Sequence, residues 1–206
     1  MKLIFKVLLG LAGVVVILAI SAWVYFGSGS ETYPNGLSVG NVAPTFANVD
    51  QYGNTQHLDS LTTNSDVVLV FFRGTWCPQC NQHIAAMNDS LDMIQDKGAR
   101  VVLITPEKPD FAGENEIKTS VDIPIIHDEN LDLMNKYDVA YDMSLGSQRL
   151  FNTFGVDFNE LYGNEGKLPL PATYIIGKDR IIKYANTGVG GMKVNYATVK
   201  QVLAAL

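Results

Sequence analysis

The hydrophobic positions of the chain form one long block at the N-terminus and, after it, several short patterned segments. The block runs from Val7 to Phe26, behind Lys2 and Lys6, and holds only apolar, aromatic and small residues. As a helix it is long enough to cross a bilayer. Because lysines precede the block and none comes closely after it, the positive-inside rule keeps its start in the cytoplasm and exports the remainder of the chain. We therefore expect a transmembrane anchor at residues 1–27.

A cleaved signal peptide is the competing interpretation of this block. Its far end offers the small residues that a signal peptidase accepts, at Ala19, Ser21 and Ala22. The apolar run exceeds the roughly 7 to 15 residues of a usual signal sequence, which favours an uncleaved anchor. Both interpretations place the following domain on the extracytoplasmic side, either tethered to the membrane or secreted.

A polar stretch separates the block from the rest of the chain. The residues GSGSETYPNG, from Gly27 to Gly36, are rich in glycine and serine and show no periodicity, which is typical of a flexible linker. We expect a linker at residues 28–38 that leaves the orientation of the domain unfixed. The remaining chain then forms one domain at residues 39–206.

Two apolar, β-branched runs in this domain are typical of strands buried on both faces of a sheet. They are DVVLVFF at 66–72 and ARVVLIT at 99–105. Between them, apolar residues recur at three- and four-residue steps and predict one amphipathic helix that ends near Lys97. These residues are Ile84, Met87, Leu91 and Ile94. A strand, a helix and a strand in this order form a right-handed unit with parallel strands.

The second half of the domain predicts further strands and helices. IPIIHD is typical of a short strand and ENLDLMNKYDV of a short helix. ATYIIG and RIIKYAN, joined by a turn at residues 177–179, predict a hairpin. The last helix has one apolar face, made by Tyr196, Val199, Val202, Leu203 and Leu206. The fold class is therefore α/β, with a central mixed sheet that has an antiparallel edge and helices on both sides.

Composition and charge narrow the function. The chain has 206 residues, of which 47% are hydrophobic and 17% charged, so one ordinary domain fits beside the anchor. A net charge of -6 without a basic run argues against a nucleic-acid partner. The only two cysteines, Cys77 and Cys80, lie in FFRGTWCPQCNQH. In an exported domain such a pair can persist as a disulfide, so redox chemistry is permitted.

The position of the cysteines favours thiol chemistry. Cys77 falls between a buried strand and a helix that begins at Pro78, a residue suited to the first helical position. The helix dipole and the free N–H groups there stabilise a thiolate, which predicts that Cys77 is the nucleophile. Cys80, one turn further on the same face, is placed to attack a mixed disulfide made by Cys77. The dithiol carries the electrons, so no cofactor is expected.

Other interpretations of the pair stay open at this point. A structural disulfide that closes so short a loop would remove little chain entropy. A zinc site with His83 as third ligand lacks the further ligands that zinc usually requires, and we expect His83 on the helix surface instead. Copper handling by the two thiolates and His127 is a third interpretation, since these ligands suit copper.

Two residues beside the cysteines have alternative roles. Arg73 would lower the thiol pKa or guide an acidic partner, unless it is merely solvated. Trp76 would shield the thiolate and offer a flat contact surface to a substrate, or it would pack against the start of the helix.

Four segments of the chain resemble the thioredoxin superfamily and, within it, the AhpC/TSA family of redoxins. They are GNVAPTFANVDQYGNTQHLDSL, VLVFFRGTWCPQC, VVLITPEKP and LPLPATYIIGKDRIIKYAN, and the resemblance covers nearly all of residues 40–206. The motif is most similar to peroxiredoxin-like members with Cys-Pro-x-Cys. The resemblance implies a thioredoxin-like fold, a protein or small-molecule disulfide as substrate, and a reductant donor protein as partner.

The resemblance also implies a substrate surface. In this superfamily a cis-proline precedes the hairpin strand and lies against the cysteine pair, where neighbouring backbone binds the substrate. The matching position is Pro171, preceded by Leu170, with Pro169 as a rival. The residues around the cysteines, Arg73, Thr75, Trp76 and Pro78, would shape the site.

This sequence departs from the family pattern at three positions. Val70 and Gly74 stand where peroxidatic members carry proline and threonine, which makes peroxidase activity the alternative rather than the main prediction. The buried acid of thioredoxins falls here at Phe71, so another acid or water must carry the proton. We therefore predict a membrane-anchored, extracytoplasmic thiol-disulfide oxidoreductase.

An insertion at residues 141–168 separates core elements of the domain. Five apolar residues in it fall at helical spacing and predict one helix that packs on the domain. They are Leu150, Phe151, Phe154, Phe158 and Leu161.

Overall fold

The structure is a computed structural model and describes residues 2–27, 29–109, 121–164, 166–188 and 194–206. In chain order the elements are α1 (Lys2–Phe26), β1 (Ala47–Val49), β2 (Thr55–His57), α2 (Leu58–Thr62), β3 (Asp66–Phe71), α3 (Pro78–Asp89), α4 (Leu91–Asp96), β4 (Ala99–Thr105), β5 (Ile125–His127), α5 (Asp132–Lys136), β6 (Ala140–Asp142), α6 (Leu145–Thr153), α7 (Phe158–Tyr162), β7 (Lys167–Pro169), β8 (Ala172–Ile176), β9 (Ile182–Thr187) and α8 (Val199–Ala205).

A five-stranded mixed sheet, in the order β5-β4-β3-β8-β9, forms the centre of the domain. Strands β3, β4 and β5 run parallel, whereas β8 is antiparallel to β3 and to β9. The predicted parallel unit and the predicted hairpin are both confirmed. Two short antiparallel pairs, β1-β2 and β6-β7, lie outside this sheet and had no counterpart in the sequence analysis.

Alternate residues of β3 fill two separate cores. Val67, Leu69 and Phe71 belong to one core, and Val68 and Val70 to the other, and all five are fully buried. This pattern results from the two-residue period of a strand. Helices α2, α5 and α7 contribute buried side chains to the first core, and α3, α4 and α8 contribute to the second. The prediction of helices on both faces is thus confirmed.

The helix predicted after the cysteines is divided into two. Ser90 ends α3 and begins α4, with φ −107° and ψ 11°. Its N–H donates to the Met87 carbonyl, and its own carbonyl accepts from the Ile94 N–H. Serine competes for backbone hydrogen bonds and is favoured at helix ends, which accounts for the break. The predicted spacing of apolar residues still holds across the break, because Met87 on α3 and Ile94 on α4 both lie in the second core.

The insertion also forms two helices where one was predicted. Gly155, with φ 82°, comes after the end of α6 in the left-handed conformation that terminates many helices. The break leaves Phe154 74% exposed, while Phe158 on α7 is buried. Pairing of β6 with β7 brings the two ends of the insertion together.

The polar stretch after α1 is bound to the domain, unlike the unbound linker expected. The Glu31 carboxylate accepts from the Ser144 N–H at 3.0 Å, and the Gly36 N–H donates to the Asp138 carbonyl at 3.0 Å. The ring of Tyr33 meets that of Tyr141 edge to face, with centroids 5.0 Å apart. These partners lie on separate parts of the fold, so composition alone did not reveal them.

Helix α1 has the properties expected of a membrane anchor. The segment Ile4–Phe26 is long and apolar enough to cross a membrane, and it contributes no buried residue to the domain. Its last turn contacts α6, where Arg149 donates through Nη1 to the Tyr25 carbonyl at 2.9 Å and lies over the Tyr25 ring at 4.5 Å.

Leu69→Ala tests the central position of β3. Because the Leu69 side chain is fully buried, we expect the substitution to lower the free energy of unfolding by about 2–5 kcal/mol. Urea titration of the full chain in detergent micelles measures this loss. Val49→Ala is the control, since Val49 is 56% exposed, and should change the free energy by no more than about 0.5 kcal/mol. Equal effects of the two substitutions would contradict the fold.

Candidate active site

The cysteine pair lies where β3 gives way to α3. Beyond β3 the chain remains tied to β4, since the Phe72 N–H donates to the Ile104 carbonyl at 2.9 Å. Cys77 is the residue that caps α3, in an extended conformation, and Pro78 is the first helical residue, as predicted. The Cys77 sulfur accepts from the Cys80 N–H at 3.4 Å. A helix N-terminus therefore faces the Cys77 sulfur, an environment that stabilises a thiolate.

Cys77 and Cys80 are joined by a disulfide, with Cα atoms 5.2 Å apart. Cys77 is 4% exposed and Cys80 is fully buried. Cys77 is thus the sulfur that an incoming thiol reaches first, whereas Cys80 is enclosed by the second core. The roles of Cys77 as attacking and Cys80 as resolving cysteine stay predictions.

Tyr196 contacts the buried sulfur and was missed as a site residue. Its hydroxyl donates to Cys80 Sγ at 3.4 Å. The sequence analysis placed Tyr196 on the last helix, but α8 begins at Val199 and Tyr196 precedes it. Burial raises the pKa of the Tyr196 phenol far above its usual value, and the charge of Arg73 opposes this rise. The phenol therefore stays protonated and able to donate.

His83 is not the surface residue that was expected. Its ring stacks on that of Tyr196, with centroids 4.1 Å apart and planes 1° from parallel. Its Nε2 atom is buried and has no hydrogen-bond partner among the described residues. Tyr196 covers this face of α3, and the resulting burial lowers the pKa of His83 to about 4.

Arg73 is buried rather than solvated, which also removes the expected role of guiding a partner from the surface. Only 2% of the residue is exposed. Its Nε and Nη2 atoms have no hydrogen-bond partner in the described part of the chain. Its charge acts on Tyr196 and Tyr162, where it opposes the effect of burial on the phenol pKa. A buried cation is costly unless negative charge develops nearby, which suits a site that forms thiolates.

Glu107 is a second residue that the sequence analysis missed. It is 1% exposed, and its carboxylate accepts from the Thr75 N–H at 2.9 Å and from the Thr75 hydroxyl at 2.8 Å. The Asn81 amide in turn donates to the Thr75 carbonyl at 2.8 Å. The chain thus carries a buried acid near the cysteine loop, although Phe71 occupies the position expected for one. The sequence did carry a sign of this residue. Glu107 comes two residues after the buried parallel strand β4, at the edge of the sheet where β3 also ends.

Gly74 cannot be replaced without displacing its neighbours. Its φ of 147° is a conformation that other residues rarely adopt. A Cβ atom there would lie 3.0 Å from the Trp76 ring and 3.2 Å from the Glu107 carboxyl carbon. Glycine therefore lets both side chains close on the loop.

Trp76 packs against the insertion and also borders the second core, to which Cys77 and Cys80 at the start of α3 belong. Its indole N–H donates to the Tyr162 hydroxyl, which donates to the Arg73 carbonyl at 2.7 Å. The Trp76 ring also meets Phe151 and Phe158 edge to face, each with centroids 5.6 Å apart. The insertion is therefore built into one wall of the site.

Pro171 lies at the expected edge but not in the expected conformation. Ala172 pairs with Phe71, so Pro171 stands beside the end of β3. The peptide bond between Leu170 and Pro171 is trans, whereas the resemblance implied cis. The trans form is the intrinsically favoured one, and the Leu170 N–H bonds to the Val139 carbonyl at 2.7 Å in this arrangement.

The two residues have little free surface. Leu170 is 1% exposed, and the Pro171 carbonyl accepts from the Gly188 N–H at 2.7 Å. Their contribution to substrate binding stays a prediction.

The residues of the proposed metal alternatives are not grouped. Within the described ranges, no three His, Cys, Asp or Glu side chains are arranged to hold a metal ion. His127, the distant ligand of the copper interpretation, is engaged through Nδ1 with the Glu107 carbonyl at 2.6 Å.

Sequence comparison gives the family. The sequence model of the AhpC/TSA family matches residues 39–185. The chain belongs to the AhpC/TSA family. Solved structures of similar shape include peroxidoxin BcpB from Mycobacterium tuberculosis, with a TM-score of 0.63 and 18% identity over 82% of this chain and 96% of that one. At this identity the likeness confirms the thioredoxin-like fold alone.

Named relatives of this AhpC/TSA chain are redox proteins. Thiol-disulfide oxidoreductase ResA from Bacillus thuringiensis (strain Al Hakam) is 24% identical over 144 residues, or 69% of this chain. The match covers 66% of that relative, just under two thirds of its length. ResA from Geobacillus kaustophilus is 23% identical over 76% of this chain and 74% of its own. Peroxiredoxin Bcp from Escherichia coli is 24% identical over 51% of this chain and 67% of its own.

The pH dependence of stability tests the burial of His83. Its native pKa of about 4 lies below the ordinary value of about 6.5, so between these pH values only the unfolded chain binds the proton. Stability from this group is therefore complete above pH ~6.5 and falls as the pH drops towards ~4, by up to roughly 3 kcal/mol.

His83→Phe keeps an aromatic ring against Tyr196 and should remove this part of the acid-induced loss, measured by urea titration at several pH values. His57→Gln removes an exposed imidazole and should leave the wild-type profile. An unchanged profile in His83→Phe would show that His83 is hydrated in the native protein.

Proposed function

We propose that the protein is a thiol-disulfide oxidoreductase, held in the membrane by α1, with its catalytic domain on the extracytoplasmic side. The observation that carries the proposal is the bonded Cys77–Cys80 pair at the N-terminus of α3. Membership of the AhpC/TSA family and the names of the ResA relatives support a redox enzyme.

The exchange proceeds in two steps. With the pair reduced, the Cys77 thiolate attacks a sulfur of the substrate disulfide, forms a mixed disulfide and releases one substrate thiolate. Cys80 loses its proton and attacks Cys77 Sγ, which releases the second substrate thiolate and leaves the Cys77–Cys80 disulfide. A reductant donor protein restores the dithiol by the reverse sequence. No cofactor takes part, because the sulfurs carry both electrons.

Residues around the cysteine pair have supporting roles in this proposal. Glu107 holds the amide and hydroxyl of Thr75, and so fixes the loop that precedes Cys77. Trp76 belongs to this loop and Pro171 stands beside the end of β3, and we assign to them the contact with a disulfide-containing protein or a small disulfide. Because only 4% of Cys77 is exposed, such a substrate must present its disulfide on a narrow projection.

The location rests on α1. Lys2 and Lys6 precede the apolar span Ile4–Phe26 or lie at its start, and Lys97 is the next lysine along the chain. This asymmetry supports a cytoplasmic N-terminus and an exported domain.

Substitution of each cysteine tests the activity. The full chain in detergent micelles should accelerate the reduction of insulin by dithiothreitol, and Cys77→Ser should abolish the acceleration because the attacking sulfur is gone. Cys80→Ser should trap a mixed disulfide on Cys77, detectable as an added mass that dithiothreitol removes. Met93→Ser, which removes an exposed sulfur outside the site, serves as control. Rapid consumption of hydroperoxide without insulin reduction would instead identify a peroxidase.

Thiol labelling in intact cells tests the sidedness. In a Cys77→Ser/Cys80→Ser background, Ser60→Cys adds an exposed thiol on the domain. A membrane-impermeant maleimide should label it in intact spheroplasts, because the domain lies outside. A cysteine appended to the N-terminus should react only after lysis. The opposite labelling pattern would overturn the proposed orientation.

A further inference from the structure

The contact between Tyr196 and the buried sulfur is not used by the two-step exchange of the proposed function. The Tyr196 hydroxyl lies 3.4 Å from Cys80 Sγ, which is a hydrogen-bond distance for sulfur. Cys80 is fully buried, so water is not available to solvate charge that forms on it. Any negative charge on this sulfur must be stabilised by the protein.

The position of the Tyr196 ring is fixed from two sides. One face stacks on His83, with centroids 4.1 Å apart. Two residues further on, Thr198 caps α8, with its hydroxyl accepting from the Gln201 N–H and its own N–H donating to the Gln201 side chain. The hydroxyl is therefore held at the sulfur by a stacked ring and a capped helix.

Burial keeps the Tyr196 hydroxyl protonated, and four titratable or charged groups in the described part of the chain lie near this contact. Cys80 and His83 lie on α3, Cys77 caps this helix, and Arg73 lies in the loop before it. His83 is neutral at physiological pH, because burial lowers its pKa to about 4. Among the described residues, Arg73 is the charged group that acts on the Tyr196 phenol, and its positive charge lowers the phenol pKa, an effect that burial outweighs.

We propose that Tyr196 is a further catalytic residue, whose hydroxyl donates a hydrogen bond to the thiolate that forms on Cys80 when the disulfide opens. The proposal rests on the proposed function. A donor thiolate attacks Cys77 Sγ and forms the mixed disulfide, the Cys77–Cys80 bond breaks, and its electron pair passes to Cys80 Sγ. Tyr196 stabilises this leaving group without losing its proton. In the opposite direction it steadies the Cys80 thiolate that attacks Cys77.

Tyr196→Phe removes only the hydroxyl and keeps the stack on His83. Because a poorer leaving group departs more slowly, reduction of the oxidised full chain by dithiothreitol should slow by about three- to tenfold in stopped-flow fluorescence. In a Cys77→Ser background, the pKa of Cys80, followed by thiolate absorbance, should rise by about one to two units, the range expected on losing a hydrogen bond to a charged group. A merely structural role for the ring would leave this pKa unchanged.

Tyr174→Phe is the matched control, since it removes a buried hydroxyl that accepts from the Leu37 N–H in the other core. It should alter neither the rate nor the Cys80 pKa. Should Tyr196→Phe fail to fold, fluorotyrosine at position 196 keeps the ring and the hydroxyl, strengthens the donor and should lower the Cys80 pKa.

The proposed function and the inference fail in different ways. A wild-type chain that does not exchange with dithiothreitol or insulin refutes the proposed function. A wild-type chain that exchanges, with Tyr196→Phe equal to it in rate and in Cys80 pKa, refutes the role of Tyr196 alone.

Discussion

Hydrogen bonding on both edges of β3 is the constraint on which the rest of the structure depends. The strand is paired with β4 on one side and β8 on the other, and its five apolar residues are fully buried. A strand held in this way cannot shift its register without moving every side chain into the wrong core. The loop that follows β3 therefore starts from a fixed position, and it ends at Cys77, the residue that caps α3.

Several buried polar groups lie at the edge of the sheet where β3 ends. Glu107 comes after β4, Arg73 after β3, and Tyr162 from the insertion, yet all lie against the loop before Cys77. Burying an acid and a base is costly, and for Glu107 the cost is offset by its hydrogen bonds to the amide and hydroxyl of Thr75. The site thus combines an apolar enclosure with a few fixed charges, in which the sulfurs react away from bulk water.

The predictable part of the molecule is the part with strong local patterns. Buried strands, the hairpin, the cysteine motif and Pro78 at the start of α3 were all predicted, because each depends on neighbouring residues. The breaks at Ser90 and Gly155 were missed, since apolar spacing continues through both. Tyr196 and Glu107 were missed because their contacts with the site involve residues far away in the chain, for which a single sequence carries only weak signals.

Helix α6 contacts both the membrane anchor and the wall of the active site. Through Arg149 it binds the last turn of α1, and through Phe151 it supports Trp76 beside the cysteines. Helix α1 is therefore connected through α6 to Trp76 beside the cysteines, and not only through the polar stretch of chain that follows it. For a chain anchored through α1 as proposed, this contact limits how far the domain can turn relative to the lipid plane, and so restricts the directions from which a substrate protein reaches Cys77.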